Sequence, residues 1–586
     1  MKKIFALAIA LLTLVSCNMD FYSSASMTSA QLKENPSSAV YTTDGIYALF
    51  KDALTYLNEE SAETSNTYVR HYFQLAESRG DNVTISGHST DPFLGPYMYE
   101  DVDNTKNKYY LWWMAYKIIY AANSNIDSID PNADKTSSHM LGENYFFRAL
   151  CHFNMVTLFA QPYQVNNGDT PGVPLRIGMD YKTTTRATVA QVYNAVVEDL
   201  KQAINYMDAG APRGDASYVS AKAARALLGR VYLYMDKDDE CIDILENQLI
   251  KTVPAVLTSG YDLAKYPTET WSSPETIWCV HHIYPTDLLS AEATIGAMYY
   301  KDGLEPNNVG WGEWYWNDEL IELFNRYPAD KRFSTYFSYE PLAYDPTKDD
   351  GKKMICFPTR PAKGEYMITG HVKDLTPDSN GDFSFEWEGK NYKAVKQTDA
   401  NGYVRYFIND NLTGDATFWG GKTPAYVRAN VDETNGLRND YVRYYNSKFK
   451  GQDNQATFSS PVFLRYGEVA LNIAEAYAHK GDVTNALKYV NMIRNRAGLT
   501  GAADFTAANM AARGYDNVLD VVLDERRMEL CFEGHRMFDI YRNKKSLDRR
   551  YPGYHNWEVI NYDDPRVALL IPKDEINASG IAQNPR

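Results

Sequence analysis

The chain has 586 residues, of which 44% are hydrophobic and 23% charged. That balance excludes global disorder, and the length excludes a single small module. The mean hydropathy of −0.46 excludes a polytopic membrane protein, and a net charge of −16 argues against binding phosphate backbones. The 46 tyrosines supply flat apolar faces that carry a hydroxyl, the chemistry of surfaces for amphipathic ligands as well as of cores and interfaces.

The first seventeen residues read MKKIFALAIALLTLVSC. Lys2 and Lys3 precede an apolar stretch too short to span a bilayer but of signal-peptide length. Leu14-Val15-Ser16-Cys17 resembles a bacterial lipobox, which implies cleavage of residues 1–16 and lipidation of Cys17. Several acyl chains on one cysteine anchor stably where a single chain is marginal. Loss of the two lysines takes the net charge from −16 to −18. Residues 17–34 carry the lipidated Cys and a small, polar tether. Cys151, Cys241, Cys279, Cys356 and Cys531 are scattered, form no CxxC and read as buried small hydrophobes.

Helical spacing opens with Ile46, Leu49, Phe50, Ala53, Leu54 and Leu57. Residues 78–96 are rich in Gly, Pro and Ser and read as an exposed loop. Helices are predicted over 109–129, over 141–159 before Pro162, and over 189–207 with Thr188 as N-cap. A helix pair follows over 221–235 and 239–249, its first member lined with Ala223, Ala224, Ala226 and Gly229 for close approach. Residues 271–315 lack helical period. From 339 to 446, period-2 alternation and Asn401-Gly402 predict short strands and hairpins inserted without a core of their own. A second pair is predicted over 466–479 and 483–496, with Gly481 ending one helix and Asp482 capping the next. Its small and large residues, Ala470, Ala474, Tyr477 and Ala486, sit at tetratricopeptide-like positions.

An ordered set of segments resembles the SusD/RagB-like outer-membrane glycan-binding lipoproteins. It comprises Gly142–Leu150 (GENYFFRAL), Gly172-Val173-Pro174-Leu175 and Leu464-Arg465-Tyr466-Gly467-Glu468. It continues with Asn491–Gly498 (NMIRNRAG), Asp524–Leu530 (DERRMEL), Phe532–Asp539 (FEGHRMFD) and the tail Ile571-Pro572-Lys573-Asp574-Glu575-Ile576. The resemblance implies a mainly α fold: a tetratricopeptide-like right-handed helical superhelix with an irregular, loop-rich ligand-binding half and a small β insertion. It further implies a lipid-anchored protein facing outward on the outer membrane. Such a protein takes up oligosaccharide, or in some members peptide, for a SusC-like TonB-dependent β-barrel transporter, with no catalysis and no cofactor. The chain then divides into a helical region (35–265), a loop-rich ligand-binding region (266–338), a strand insertion (339–446) and a second helical region (447–586). The insertion is longer than the family pattern.

Sugars present apolar CH faces and hydroxyl edges, so a site needs aromatic platforms with polar rims. Trp311, Trp314, Tyr315 and Trp316 are candidates, three indoles within six residues. Arg79, Asp81, Asn82 and Tyr97 of the 78–99 loop are further candidates, and Tyr284 is another, placed by the regions the family uses. The charges of DERRMEL and FEGHRMFD are expected to pair within the helical core. The adjacent His281 and His282 point to opposite faces of a strand, and Asp378–Asp382 lacks the Gly and Glu of a calcium loop, so no metal site is expected. A surface-anchored glycoside hydrolase and a tetratricopeptide-type adaptor for protein partners are the alternatives from other functional classes.

Overall fold

The computed structural model describes residues 38–52, 67–85, 89, 91–180, 185–250, 257, 263–287, 294–301, 310–360, 365–414, 418–555 and 559–586. Cys17, the leader and the tether lie outside them, as do Ala53, Leu54 and Leu57.

The longer helices are α1 (Ser38–Lys51), α2 (Tyr68–Ser78), α3 (Lys106–Ser128), α4 (Lys135–Phe159), α5 (Val189–Ala209), α6 (Ala221–Tyr234), α7 (Asp318–Asn325), α8 (Tyr466–His479), α9 (Val483–Arg496) and α10 (Val518–Glu529). Local signals explain their ends. The Thr188 side chain and Gln191 form a reciprocal capping box at α5, and Asp482 accepts from the Asn485 amide at the start of α9. Gly481, between α8 and α9, has φ +73°, a left-handed turn that glycine takes without a Cβ penalty. After α6 the chain forms a short helix, Asp238–Ile242, that widens into a π turn over Asp243–Asn247. A Cβ at Gly229 would strike the Leu245 side chain, so this pair approaches as closely as its small residues suggest.

Successive helices pack against one another: α3 on α4, α4 on α5, α5 on α6, and α8 on both α9 and α10. One hydrophobic core runs through both helical regions and the loop-rich region between them. All five described cysteines are buried and free.

Buried ion pairs tie the two helical regions together. Arg230 of α6 donates twice to Glu468 of α8, at 2.6 Å each. Glu529 of α10 receives Arg332 at 2.9 Å, Arg465 at 2.5 Å and Arg496. Arg526 and Arg542 share Glu475 and Asp539. Apart from the partly exposed Asp524, the charges of the DERRMEL and FEGHRMFD segments are therefore interior partners. His535, among them, is pushed down to about 4 by burial.

The insertion is an antiparallel sheet of β1 (Lys353–Thr359), β2 (Ile368–Leu375), β3 (Phe383–Trp387), β4 (Lys390–Thr398), β5 (Val404–Ile408) and β6 (Thr423–Ala429), in the order β2-β1-β6-β5-β4-β3. It departs from the sequence expectation by having a small core of its own: Ile355, Phe357, Phe383, Phe385, Ala394 and Ile408. Strand alternation places these side chains on one face. The sheet also packs on α7 through charge. Arg428 reaches Asp318 at 2.8 Å and Glu322 at 2.6 Å, and Arg405 reaches Glu319 at 2.7 Å. The Asp378–Asp382 segment is a turn: Asp378 accepts the amides of Asn380 and Asp382, and Lys393 pairs with both aspartates.

Candidate functional site

The structure corrects most of the predicted binding residues. Trp314, Tyr315 and Trp316 form a strand that pairs antiparallel with Val83–Ile85, and all three are 0% exposed. Both faces of this two-stranded ladder are covered, so alternation turns no ring toward water. Trp316 lies among Phe324, Phe333, Phe337 and Phe532, Trp314 against Phe93 and Tyr299, and Tyr315 on Tyr441 and Tyr445.

The 79–99 candidates are buried as well, because they clasp the C-terminal region. Arg79 donates to the carbonyls of Arg566 and Val567 at 2.6 and 2.9 Å and lies over the Tyr99 ring. Asp81 pairs with Arg536 at 2.6 Å and with Arg527 at 3.6 Å. Burial alone would raise the Asp81 carboxyl, but these guanidinium groups outweigh it and hold it down at about 2. Asn82 donates to Glu77 and accepts from Arg527, each at 3.0 Å. The Tyr97 hydroxyl lies 3.1 Å from Nδ1 of the buried His555. These residues hold the fold and offer no surface to a ligand.

Two of the predicted aromatics reach the surface, Tyr284 at 42% exposure and Trp311, which is half-buried. Their positions follow from backbone pinning. The amides of Trp311, Gly312 and Glu313 donate to Ala297 and Met298 carbonyls at 2.7 to 3.1 Å, zipping the segment onto the short helix Gly296–Tyr299. Gly310 precedes them at φ +82°, and a Cβ there would strike the Tyr300 carbonyl. Trp311 is flanked by charge: Arg70 lies 4.9 Å over its ring and 3.8 Å from Asp91. Glu313 accepts from Ser89 at 2.8 Å and from Arg438. Burial raises the Asp91 carboxyl, with Arg70 opposing.

Tyr284 sits in a turn held by Asp287, which accepts the Ile283 amide at 2.7 Å and pairs with Lys51 at 2.7 Å. Its ring meets Phe458 edge-on at 6.1 Å. The adjacent Thr457 packs beneath Gly310, which connects the Tyr284 turn to the Trp311 segment. Trp271 stacks on His281 at 4.5 Å beside the same turn. The ledge is these two segments, the Tyr284 turn with the Lys51–Asp287 pair and the Trp311 segment with the Glu313–Arg438 pair, joined through Phe458, Thr457 and Gly310.

Sequence reasoning also missed a concavity of about 680 Å³ between the inserted sheet and the C-terminal helices, with Trp419 and four arginines in its lining. Phe418-Trp419-Gly420-Gly421 was a visible signal in the sequence, but nothing local shows what the indole faces.

Burial raises Glu77 to about 7, Asp318 to about 6 and Glu143 to about 8. Such shifts can mark catalytic acids. Here each carboxyl is 0% exposed and engaged inside the fold: Glu77 with the amides of Phe532 and Gly534, Glu143 with Tyr47, and Asp318 with Arg428. Among the described residues no group of His, Cys, Asp and Glu is placed to hold a metal ion.

Scaffold and ledge together define a helix-hairpin protein with partly exposed aromatics on irregular segments packed against a helical core. The chain belongs to the SusD family, whose model matches residues 274–578. A second family model, described as starch-binding and associating with the outer membrane, matches residues 33–233. A SusD-like protein of Formosa agariphila is 23% identical over 483 residues, covering 80% of this chain and 77% of its own. Among solved structures, a SusD superfamily protein of Bacteroides vulgatus superposes with a TM-score of 0.64 at 22% identity, covering 94% of this chain and 99% of that one. A laminarin-binding SusD-like protein superposes with a TM-score of 0.58 at 18% identity, covering 94% and 99%. The fold class expected from the sequence, mainly α with a small β part, is the one observed.

Proposed function

We propose that this chain is a glycan-binding protein of the outer-membrane surface that captures an oligosaccharide on the Tyr284–Trp311 ledge. The sugar leaves chemically unchanged and passes to a SusC-like TonB-dependent transporter, with Cys17 as the lipid anchor. The observation that carries the reading is the ledge itself. Two aromatic rings reach water from segments pinned to the core, and the Trp311 segment carries the partly exposed Glu313–Arg438 pair. Rings fixed before binding lose little entropy when a pyranose stacks on them, and the charged groups hydrogen-bond its hydroxyl edge. Family membership, the outer-membrane description of the second family model and the laminarin-binding relative in the same fold support it.

A hydrolase reading is disfavoured by the strongly raised carboxyls, which are committed to interior partners. The test is calorimetry on the chain from residue 18 onward with a panel of neutral oligosaccharides, for the parent and for Trp311→Ala and Tyr284→Ala. Binding by the parent that weakens by about two- to tenfold in the variants supports the ledge, since a stacking ring contributes on the order of 0.5–1.5 kcal/mol. Parent-like affinity in both variants removes it from the site.

A further inference from the structure

The inserted sheet and the C-terminal helices enclose a second cleft whose chemistry differs from that of the ledge. Its volume is about 680 Å³, within the range of ligand pockets, roughly 300–1,000 Å³. One wall is sheet: Gln397, Asn401, Tyr403, Arg405 and Phe407, with Trp419 at its edge. The facing wall comes from the end of α7 (Asn325 and Arg326), from Arg494 of α9 and from the 503–514 segment with Arg513. The Asn401 side chain donates to the Ala512 carbonyl at 2.7 Å and joins the two walls at one end.

Trp419 is positioned as a platform. It is 40% exposed, and Arg405 lies 4.5 Å over its ring. Phe407 packs beside it at 5.3 Å. Its backbone takes φ +47°, uncommon for a bulky side chain.

Charge sets the ligand class. Four arginines and one aspartate line the cleft in a chain of net charge −16. Two of the four are neutralised by close carboxylates: Arg405 by Glu319 at 2.7 Å and Arg494 by Glu525 at 3.1 Å. Arg326 reaches Asp524 only at 4.0 Å and keeps 36% of its side chain exposed. Arg513 donates to the carbonyls of Ala503 and Ala502 at 2.9 and 2.6 Å, and no carboxylate among the described residues lies within ion-pair distance of it. Arg494 and Arg513 lie over the same Phe505 ring, at 4.6 and 4.7 Å. Both guanidinium groups also donate to the Ala503 carbonyl, at 3.1 and 2.9 Å, so they repel each other, and an anion beside Arg513 relieves the repulsion. Burial and then Arg494 lower the pKa of Arg513.

We propose that this cleft binds an acidic oligosaccharide, one sugar ring stacking on Trp419 while its carboxylate or sulfate accepts hydrogen bonds from Arg513 and Arg326. Asn325, Gln397 and Asn401 face the hydroxyl edges. Guanidinium forks pair with planar carboxylates and with sulfate oxygens more specifically than an ammonium does. The site stands apart from the Tyr284–Trp311 ledge, so either can fail alone.

The experiment is calorimetry on the chain from residue 18 onward with four probes: an oligogalacturonate, a sulfated glycosaminoglycan oligosaccharide, a neutral dextran oligosaccharide and a poly-glutamate peptide. Each is titrated at low and high salt. Either anionic sugar is expected to bind, the tighter one identifying the anion, with affinity falling several-fold as salt rises. W419A and R326Q are each expected to weaken that binding about tenfold and to leave thermal midpoints and neutral-sugar binding unchanged. R326Q reads the charge without touching the carbonyls that Arg513 holds, so a folding defect in R513Q leaves the test intact. No binding of either anionic sugar overturns the proposal, as does parent-like affinity in both W419A and R326Q. Poly-glutamate binding as tight as the sugars overturns the assignment to a sugar.

Discussion

Replacing Trp316 by alanine should cost stability. The indole is 0% exposed, with four phenylalanine rings at centroid distances of 4.9 to 5.8 Å. Truncating a buried aromatic to alanine costs about 3–5 kcal/mol, more where the surroundings collapse poorly. These neighbours sit on separate segments, namely α7, the Lys331–Tyr336 helix, the Phe337–Tyr339 strand and the turn after α10, so about 4 kcal/mol is expected. The Trp316 Nε1 has no hydrogen-bond partner among the described residues. Trp316→Phe therefore removes an unpaired donor along with part of the ring and should lose less than half as much. The assay is urea unfolding followed by far-UV circular dichroism. A chain of this size has a steep denaturant dependence, above the roughly 1–3 kcal/mol/M of small proteins, so the midpoint should fall by about 1 M or somewhat less. A Trp316→Ala midpoint equal to the parent's would refute the placement of this indole in the core.

Trp314→Ala should destabilise similarly by the same measurement, while Trp311→Ala, three residues earlier, should unfold close to the parent midpoint. Asp81→Asn leaves Arg527 and Arg536 with a weakened partner in a buried clasp, and a thermal melt at neutral pH should show a loss of about 3–5 kcal/mol. The Asp81 carboxyl ordinarily titrates at 3.8 and is held at about 2, so its contribution is present above 3.8 and lost as pH falls through 2. Asp81→Asn should flatten the acid limb of the parent's stability profile. At His479, burial alone would lower the pKa, but the bond to Asp238 and the charge of Glu475 outweigh it and raise it to about 9 from 6.5. That stabilisation is full below 6.5 and lost as pH rises through 9, on the order of 1–3 kcal/mol. His479→Gln should remove the alkaline slope, and an unchanged slope would contradict the assignment.

The helical scaffold was legible because its determinants are local. Thr188 with Gln191, Gly481 with Asp482 and the alanine-rich faces of α6 and α8 act within a few turns of chain. The helices over Tyr466–His479 and Val483–Arg496 lie where the sequence puts them. The site was only partly legible because exposure is decided by distant partners. Trp311 and Trp314 share one short aromatic run, yet one is partly exposed at the edge of the core and the other wholly buried. The difference is the pairing of Trp314–Trp316 with Val83–Ile85, which no spacing within the run encodes. In the same way, Arg79 and Asp81 carry the residue types of a sugar-binding rim, and only contacts with residues 527–567 turn them into a clasp. The core of the inserted sheet was missed because each strand contributes one or two apolar side chains, too few to stand out singly.

A combined binding and turnover measurement on a neutral oligosaccharide tests the central claim most directly. The Tyr284→Ala/Trp311→Ala double variant is compared with the parent by calorimetry, and reducing ends are counted after prolonged incubation. Loss of binding in a folded double variant, with the sugar recovered intact from the parent, is the predicted result. New reducing ends released by the parent, or undiminished affinity in the double variant, would contradict it.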